Sequence, residues 1–256
     1  MPRTVHIDRY VTPLREGGSM PAVVEADDLG MYVLKFRGAG QGPRALVAEW
    51  ISGEIARVLG LPVPEIVFAR LDAELARTEG DPEIQDLIRA SDGLNLAMDY
   101  LPGSLAFDPA AETPDFMLAS QIVWFDAFVR NVDRTARNTN LLVWHRRLWL
   151  IDHGASLYFH HGWDGGVGGV GNAFPLIREH VLLPWAAQLE QADAELSARL
   201  DRDAIADIVA AVPDAWLQGP DAFAEPARQR EAYVEYLHRR LLGHDAFTRE
   251  AIDARA

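Results

Sequence analysis

Two four-residue apolar runs, Leu141-Leu142-Val143-Trp144 and Leu148-Trp149-Leu150-Ile151, stand apart by only His145-Arg146-Arg147. Runs so short and so close satisfy their backbone polar groups by pairing with each other, as an antiparallel hairpin. Opposed residues of a hairpin have numbers of constant sum. A turn centred near 145 or 146 therefore puts residue 152 opposite residue 138, or within two residues of it. Opposed residues lie about 4.5–5.5 Å apart, so Asn138 and Asp152 leave the same end of the hairpin together. That is close enough to share one hard cation. Mg²⁺ takes oxygen ligands, keeps several waters and uses one or two protein groups beside substrate phosphates. An amide and a carboxylate fit that description.

The rest of the chain sets limits. Its 256 residues suffice for one large domain or two coupled lobes, and 49% hydrophobic with 24% charged residues is an ordinary globular composition. With no cysteine, disulfides, thiolate catalysis and zinc–cysteine sites are excluded. The amino terminus, MPRTVHIDRYVTPL, has no signal-peptide core and no apolar run reaches spanning length, so the expected compartment is the cytoplasm, away from membranes. A formal charge of −14 disfavours direct nucleic-acid binding through a general field.

Residues 1 to 36 read as strands and turns, with β-rich runs at 5–7, 22–25 and 31–36. A helix is expected from about Arg44 to Leu59, stopped by Gly60, with strands at 65–71 and 94–100 and a helical insertion or loop over 72–91. Beyond Asp99-Tyr100-Leu101-Pro102-Gly103 the chain is mainly helical. One helix is expected to start at Thr113-Pro114-Asp115 and stop near Arg130, others over 184–200, 202–211 and 220–242, with a glycine-rich stretch at 162–171. The expected fold class is therefore α+β and bilobal, residues 1–98 forming a β-rich nucleotide-binding lobe and 99–256 a mainly helical catalytic lobe.

Asp133 precedes Asn138 by five residues, and Asp152-His153-Gly154 follows the hairpin. Protein kinases use D-x-x-x-x-N for a hydroxyl-orienting base and a metal-binding asparagine, with a second metal-binding Asp in a downstream D-x-G. Singly, each of these residues reads as a turn or strand-end residue. Together, at a hairpin mouth, they read as a catalytic site. Lys35, in the strand Val33-Leu34-Lys35-Phe36, is the candidate phosphate-holding lysine and needs a buried partner. Glu49 on the next helix is the first choice and Glu54 the second. Phosphate could be covered by Gly38-Ala39-Gly40-Gln41-Gly42 or by Gly17-Gly18-Ser19, each of which also reads as a plain loop.

Lys35 in V-L-K-F, Glu49 heading a helix that ends ARVLGLPVPE, then NVDRTARNTN and LWLIDHGASL resemble the HipA-like kinases over residues 15 to 160. These are bacterial relatives of protein kinases that include serine/threonine-kinase toxins of toxin–antitoxin pairs. The resemblance implies a protein-kinase-like fold, with ATP and Mg²⁺ as cofactors. It implies Lys35 on the nucleotide phosphates, Glu49 as its partner, Asp133 as catalytic base, and Asn138 and Asp152 as metal ligands. The linker with Met98 and Tyr100 would hold adenine through its backbone, while Gly18 and Ser19 stay candidates for covering the nucleotide beside the turn 38–42. The expected acceptor is a serine or threonine of a protein substrate. The chain is shorter than the toxin kinases and is expected to lack the amino-terminal subdomain that they use in part to meet an antitoxin, so an antitoxin partner is possible but unsupported. D-R-x-x-x-N with I-D-x-G also resembles the phosphatidylinositol 3- and 4-kinases, which leaves a lipid head-group or small-molecule kinase as an alternative. A non-catalytic nucleotide-binding module is a further alternative, disfavoured because all three polar site residues are present. A metalloenzyme built on His153, His160, His161 and Asp164 is the last.

Overall fold

The computed structural model describes residues 2–14, 20–40, 42–163, 169–171, 173–218 and 223–256. Five strands come first, β1 (Thr4–Pro13), β2 (Ala22–Ala26), β3 (Met31–Lys35), β4 (Ile66–Leu71) and β5 (Gly93–Asp99). They close into a barrel in the order β1-β2-β3-β5-β4. The closure is a parallel pairing of β1 with β4, from Thr4 opposite Phe68 to His6 opposite Arg70. It leaves no free edge in this sheet, which removes a template for edge-to-edge association. Val24, Leu34, Val67, Ala69 and Ala97 fill the barrel together with Ile84, Leu87 and Ile88 of α2 (Pro82–Ala90). The segment 72–91 is thus a 3₁₀ turn, Ala73–Thr78, followed by α2. Each starts at an aspartate, Asp72 or Asp81, whose carboxylate accepts the backbone N–H two residues on.

Helix α1 (Gly42–Val58) lies outside the barrel and joins it to the rest of the chain. Trp50 Nε1 donates to the Ile208 carbonyl at 2.9 Å, its ring packs on Phe68, and Phe68 meets Trp216 edge-on. One apolar cluster accordingly runs from Leu46, Ile51 and Phe68 through Trp124 and Phe128 to Leu237 and Phe247.

Helix α3 (Phe116–Val129) is apolar on every side, with Ile122 through Val129 all buried, as a central helix must be. It begins two residues later than expected. Thr113 does not cap it; the Asp115 carboxylate accepts the Leu118 N–H at 2.8 Å and so caps the helix. Helix α4 (Leu189–Ser197) packs on it, α5 (Arg202–Ala210) sits against α1 and the next helix, and α6 (Pro226–Leu242) and a further helix, α7 (His244–Arg255), return to α3. The sequence pattern hides α7, because only Gly243 separates it from α6. Pro184 and Trp185, expected to open α4, lie instead in a 3₁₀ turn, Leu183–Trp185. The proline has no N–H to extend a helix back through this turn.

A second sheet, β6 (Leu105–Ala106), β7 (Leu141–Trp144) and β8 (Arg147–Leu150), contains the expected hairpin. Its turn is tighter than the sequence reading. His145 and Arg146 both adopt positive φ, the two-residue geometry that matches strand twist, and Arg147 joins β8. Leu141 opposes Leu150 and Ile151 donates to the Asn140 carbonyl, so Asp152 falls opposite residue 139, beside Asn138. No described helix is long and apolar enough to cross a membrane.

Candidate active site

Lys35 ends β3 and points its ammonium at two carboxylates. Nζ donates to Glu49 Oε2 and to Asp152 Oδ1, each at 2.6 Å. Glu49 is fully buried on α1. Glu54 is not part of this pair, since it faces Arg57. Five residues at 100° each put Glu54 about 140° around the helix from Glu49, so only one of them can face β3. Burial by itself would lower Lys35, but Asp152 and Glu49 outweigh it and hold the ammonium above the ordinary lysine range. Burial would likewise raise Glu49, and Lys35 with His153 holds it well below the usual carboxylate range instead. The ring of His153, buried against Phe125, sets Nδ1 3.4 Å from Glu49 Oε1. Asp152 itself adopts φ +53°, a backbone state that aspartate tolerates better than most residues.

Across the hairpin mouth, Asp133 Oδ2 accepts from Asn138 Nδ2 at 2.7 Å and from Asn140 Nδ2 at 3.3 Å. The Asp133 N–H donates to Asn131 Oδ1 at 3.1 Å. Asn138 spends its amide nitrogen on Asp133, which leaves its amide oxygen available. That oxygen and the second carboxylate oxygen of Asp152 have no donor among the described residues. The donor set is therefore hard and oxygen-only at that mouth, which suits Mg²⁺ or Mn²⁺ and not a soft metal.

Lys35, Ala39, Gly42, Ala45, Asp152 and Gly154 line a narrow recess between barrel and hairpin. Three described amides near the turn at 38–42 are already committed within the protein. Gly38 N–H donates to Ser91 Oγ, Ala39 to Phe36 O and Gly42 to Ala39 O. A Cβ at Gly38 would stand 2.8 Å from the Ala90 backbone, so glycine is needed there for close packing. Gly18 and Ser19 lie outside the described residues. Met98 sits inside the sheet, paired with Val33 and Ile66, and the Tyr100 N–H is committed to the Met31 carbonyl. In this linker the next amide, that of Leu101, has no acceptor among the described residues.

The histidines of the metalloenzyme reading do not form one site. His153 faces Glu49, and His160 Nδ1 pairs with Tyr233 O–H at 2.9 Å. Burial drops His160 to about 3, so it stays neutral. Asp164 lies outside the described residues. The one metal-like grouping among the described residues, Asp193, His244 and Asp245, is elsewhere, and Asp193 Oδ1 already accepts from Trp124, His244 and Thr248.

Sequence reasoning missed Asp126 and Arg134. Both are fully buried, and Arg134 Nε donates to Asp126 Oδ2 at 2.6 Å. Arg134 also reaches the Asn140 and Ile151 carbonyls, tying both ends of the hairpin to the loop of Asp133. The available signal was an acidic residue inside the otherwise apolar FMLASQIVWFDAFV. A carboxylate there requires a buried partner.

Comparison with solved structures shows which fold this geometry belongs to. The Helicobacter pylori proinflammatory kinase CtkA superposes with a TM-score of 0.58 at 13% identity, covering 98% of this chain and 99% of that one. A Golgi casein kinase with Mn/ADP bound superposes at 0.53 and 11% identity, covering 99% of this chain and 74% of that one. Another structure of the Golgi casein kinase gives 0.53 at 12% identity, over 100% and 73% of the two chains. No curated protein sequence matches the chain. The sequence model of the HipA-like kinases matches residues 7–250, well beyond the 15–160 legible from motifs. Residues 7–250 take in the barrel, the lysine pair, the hairpin and nearly all of the helical part, so the chain belongs to the HipA-like kinase family.

Proposed function

We propose that this kinase transfers the γ-phosphoryl group of ATP, with Mg²⁺, to a serine or threonine hydroxyl of a protein. One observation carries the reading. Lys35 bridges Glu49 and Asp152 on one side of the hairpin mouth, while Asp133 stands oriented by Asn138 on the other. Residues 1–98 act as the nucleotide-binding lobe and residues 99–256 as the catalytic lobe. Lys35, aimed by Glu49, places a fixed positive charge where nucleotide phosphates would enter. Asn138 and Asp152 are the oxygen ligands for the metal. Bound Mg²⁺ supplies charge neutralisation across the phosphates. Asp133 accepts the proton of the acceptor hydroxyl, and the asparagines on its carboxylate keep it facing that hydroxyl. Met98 and Tyr100 flank the linker, whose free Leu101 amide is the donor for an adenine ring nitrogen.

The protein acceptor rests on two supports. The family match extends through both lobes, and a solved neighbour is named as a casein kinase. The acidic surface favours a basic or neutral partner region. The test is incubation with γ-labelled ATP and lysate of the source cell, followed by separation of proteins, lipids and small metabolites. Label on proteins is expected. Label confined to lipids or metabolites refutes the protein acceptor, and no transfer to any fraction refutes the phosphotransfer.

A further inference from the structure

The Asp126 carboxylate has three donors. Asn131 Nδ2 lies 2.9 Å from Oδ1, and Arg134 Nε and His180 Nε2 lie 2.6 and 2.9 Å from Oδ2. The first two belong to the loop of Asp133, and Asn131 passes the constraint on to the Asp133 N–H. The third comes from a different part of the chain, the segment that follows the glycine-rich stretch.

His180 is itself fixed. Its Nδ1 accepts the Leu182 N–H at 3.0 Å, so the ring proton sits on Nε2 and the neutral imidazole donates to Asp126. Burial keeps the ring below the ordinary histidine range despite the neighbouring Asp126, so it needs no added proton for this role. The backbone repeats the connection. Thr135 forms an isolated β-bridge with His180, and the Val181 N–H donates to the Arg134 carbonyl at 3.1 Å. Thr135 and Arg134 directly follow Asp133 in the chain.

We propose that His180 is a positioning residue, clamping the segment around residues 177–183 onto the catalytic loop through Asp126 and so holding Asp133 in register for transfer. This role rests on the phosphotransfer reading above. Asp133 acts on the acceptor during transfer, while the nucleotide is held mainly from Lys35 and Asp152, which lie outside that loop; of the metal ligands only Asn138 shares it. Loosening the loop therefore lowers turnover and leaves ATP binding largely intact.

The test uses the full chain and Mg²⁺-dependent formation of ADP from ATP, with kcat and KM measured well below the melting temperature of each variant. His180→Ala is expected to lower kcat by about tenfold or more, with KM for ATP changed by less than about threefold. His180→Gln, whose terminal amide can place an N–H near the position of Nε2, is expected to recover most of that loss. A His180→Ala enzyme within about twofold of wild type overturns the role, as does a loss shared equally between kcat and KM. If His180→Ala does not fold, His180→Gln is compared with His180→Asn. Both fill the space, but the shorter amide lies near Nδ1, so equal turnover of the two overturns the role. Wild-type protein that forms no ADP refutes the phosphotransfer reading and this role with it. Active wild type with indifferent variants refutes the role alone.

Discussion

Removing Lys35 should expose how its neighbours depend on it. Lys35→Met deletes the ammonium that, with the ring of His153, forms the side-chain contacts the described residues give Glu49, and Glu49 has no contact with solvent. Breaking a buried pair from one side costs about 3–5 kcal/mol, because a carboxylate is left unpaired in a poorly polarisable site. For a chain of this length that lowers the melting temperature by roughly 6–20 °C. Replacing both members with apolar groups, Lys35→Met with Glu49→Met, removes the unpaired charge and should recover most of the loss. Acid distinguishes the variants further. In wild type the folded Glu49 lies below its ordinary 4.5, so its contribution is present above that value and lost as pH falls through the folded one. Lys35 lies above 10.5, so its contribution is present below that value and lost as pH rises through the folded one. In Lys35→Met, burial is no longer opposed by the ammonium and pushes Glu49 upward. The variant should therefore gain stability between pH 7 and 5, where wild type gains none from this pair. Urea melts of the three proteins at both pH values read all of this. A single variant within about 1 kcal/mol of wild type, or a double variant no more stable than the single, refutes the buried-pair reasoning.

Asp152→Asn keeps a side chain that tolerates positive φ, so it should fold and yet lose most of the Mg²⁺-dependent thermal stabilisation by ATP, as differential scanning fluorimetry would show. Asp133→Ala should reduce ADP formation by about 10²-fold or more while ATP affinity, followed by calorimetry, stays within a few-fold. Asp115→Ala, far from the chemistry, should cost about 1 kcal/mol in a urea melt by uncapping α3, with kcat unchanged.

The hairpin and the register that brings Asp152 to its mouth near residue 138 were legible in the sequence because each is local, whereas the hydrogen bond from Asn138 to Asp133 was not read from the spacing. Strand period and a short turn decide which residues meet, and these act over a few residues whatever the surroundings. The identity of Glu49 as partner of Lys35 was legible only as one of two candidates; the rotation of α1 against β3 chose between them. Helix starts near 113–116 and 184–189 were misplaced because caps and proline turns compete with apolar periodicity at the level of single hydrogen bonds, and α7 was missed because only Gly243 separates it from α6. Other features had no local signal at all. Parallel closure of β1 on β4 joins residues more than sixty positions apart, and Lys35 meets Asp152 across 117 positions. His180 carries no local signal in the sequence, and only the fold buries it against Asp126. Sequence by itself determined which polar groups the chain must pair, since a lysine in an apolar strand and an aspartate in an apolar helix cannot remain alone away from water. Only tertiary structure decided with which partners, because a buried charge is satisfied by whichever donor the packing of distant segments brings within about 3 Å.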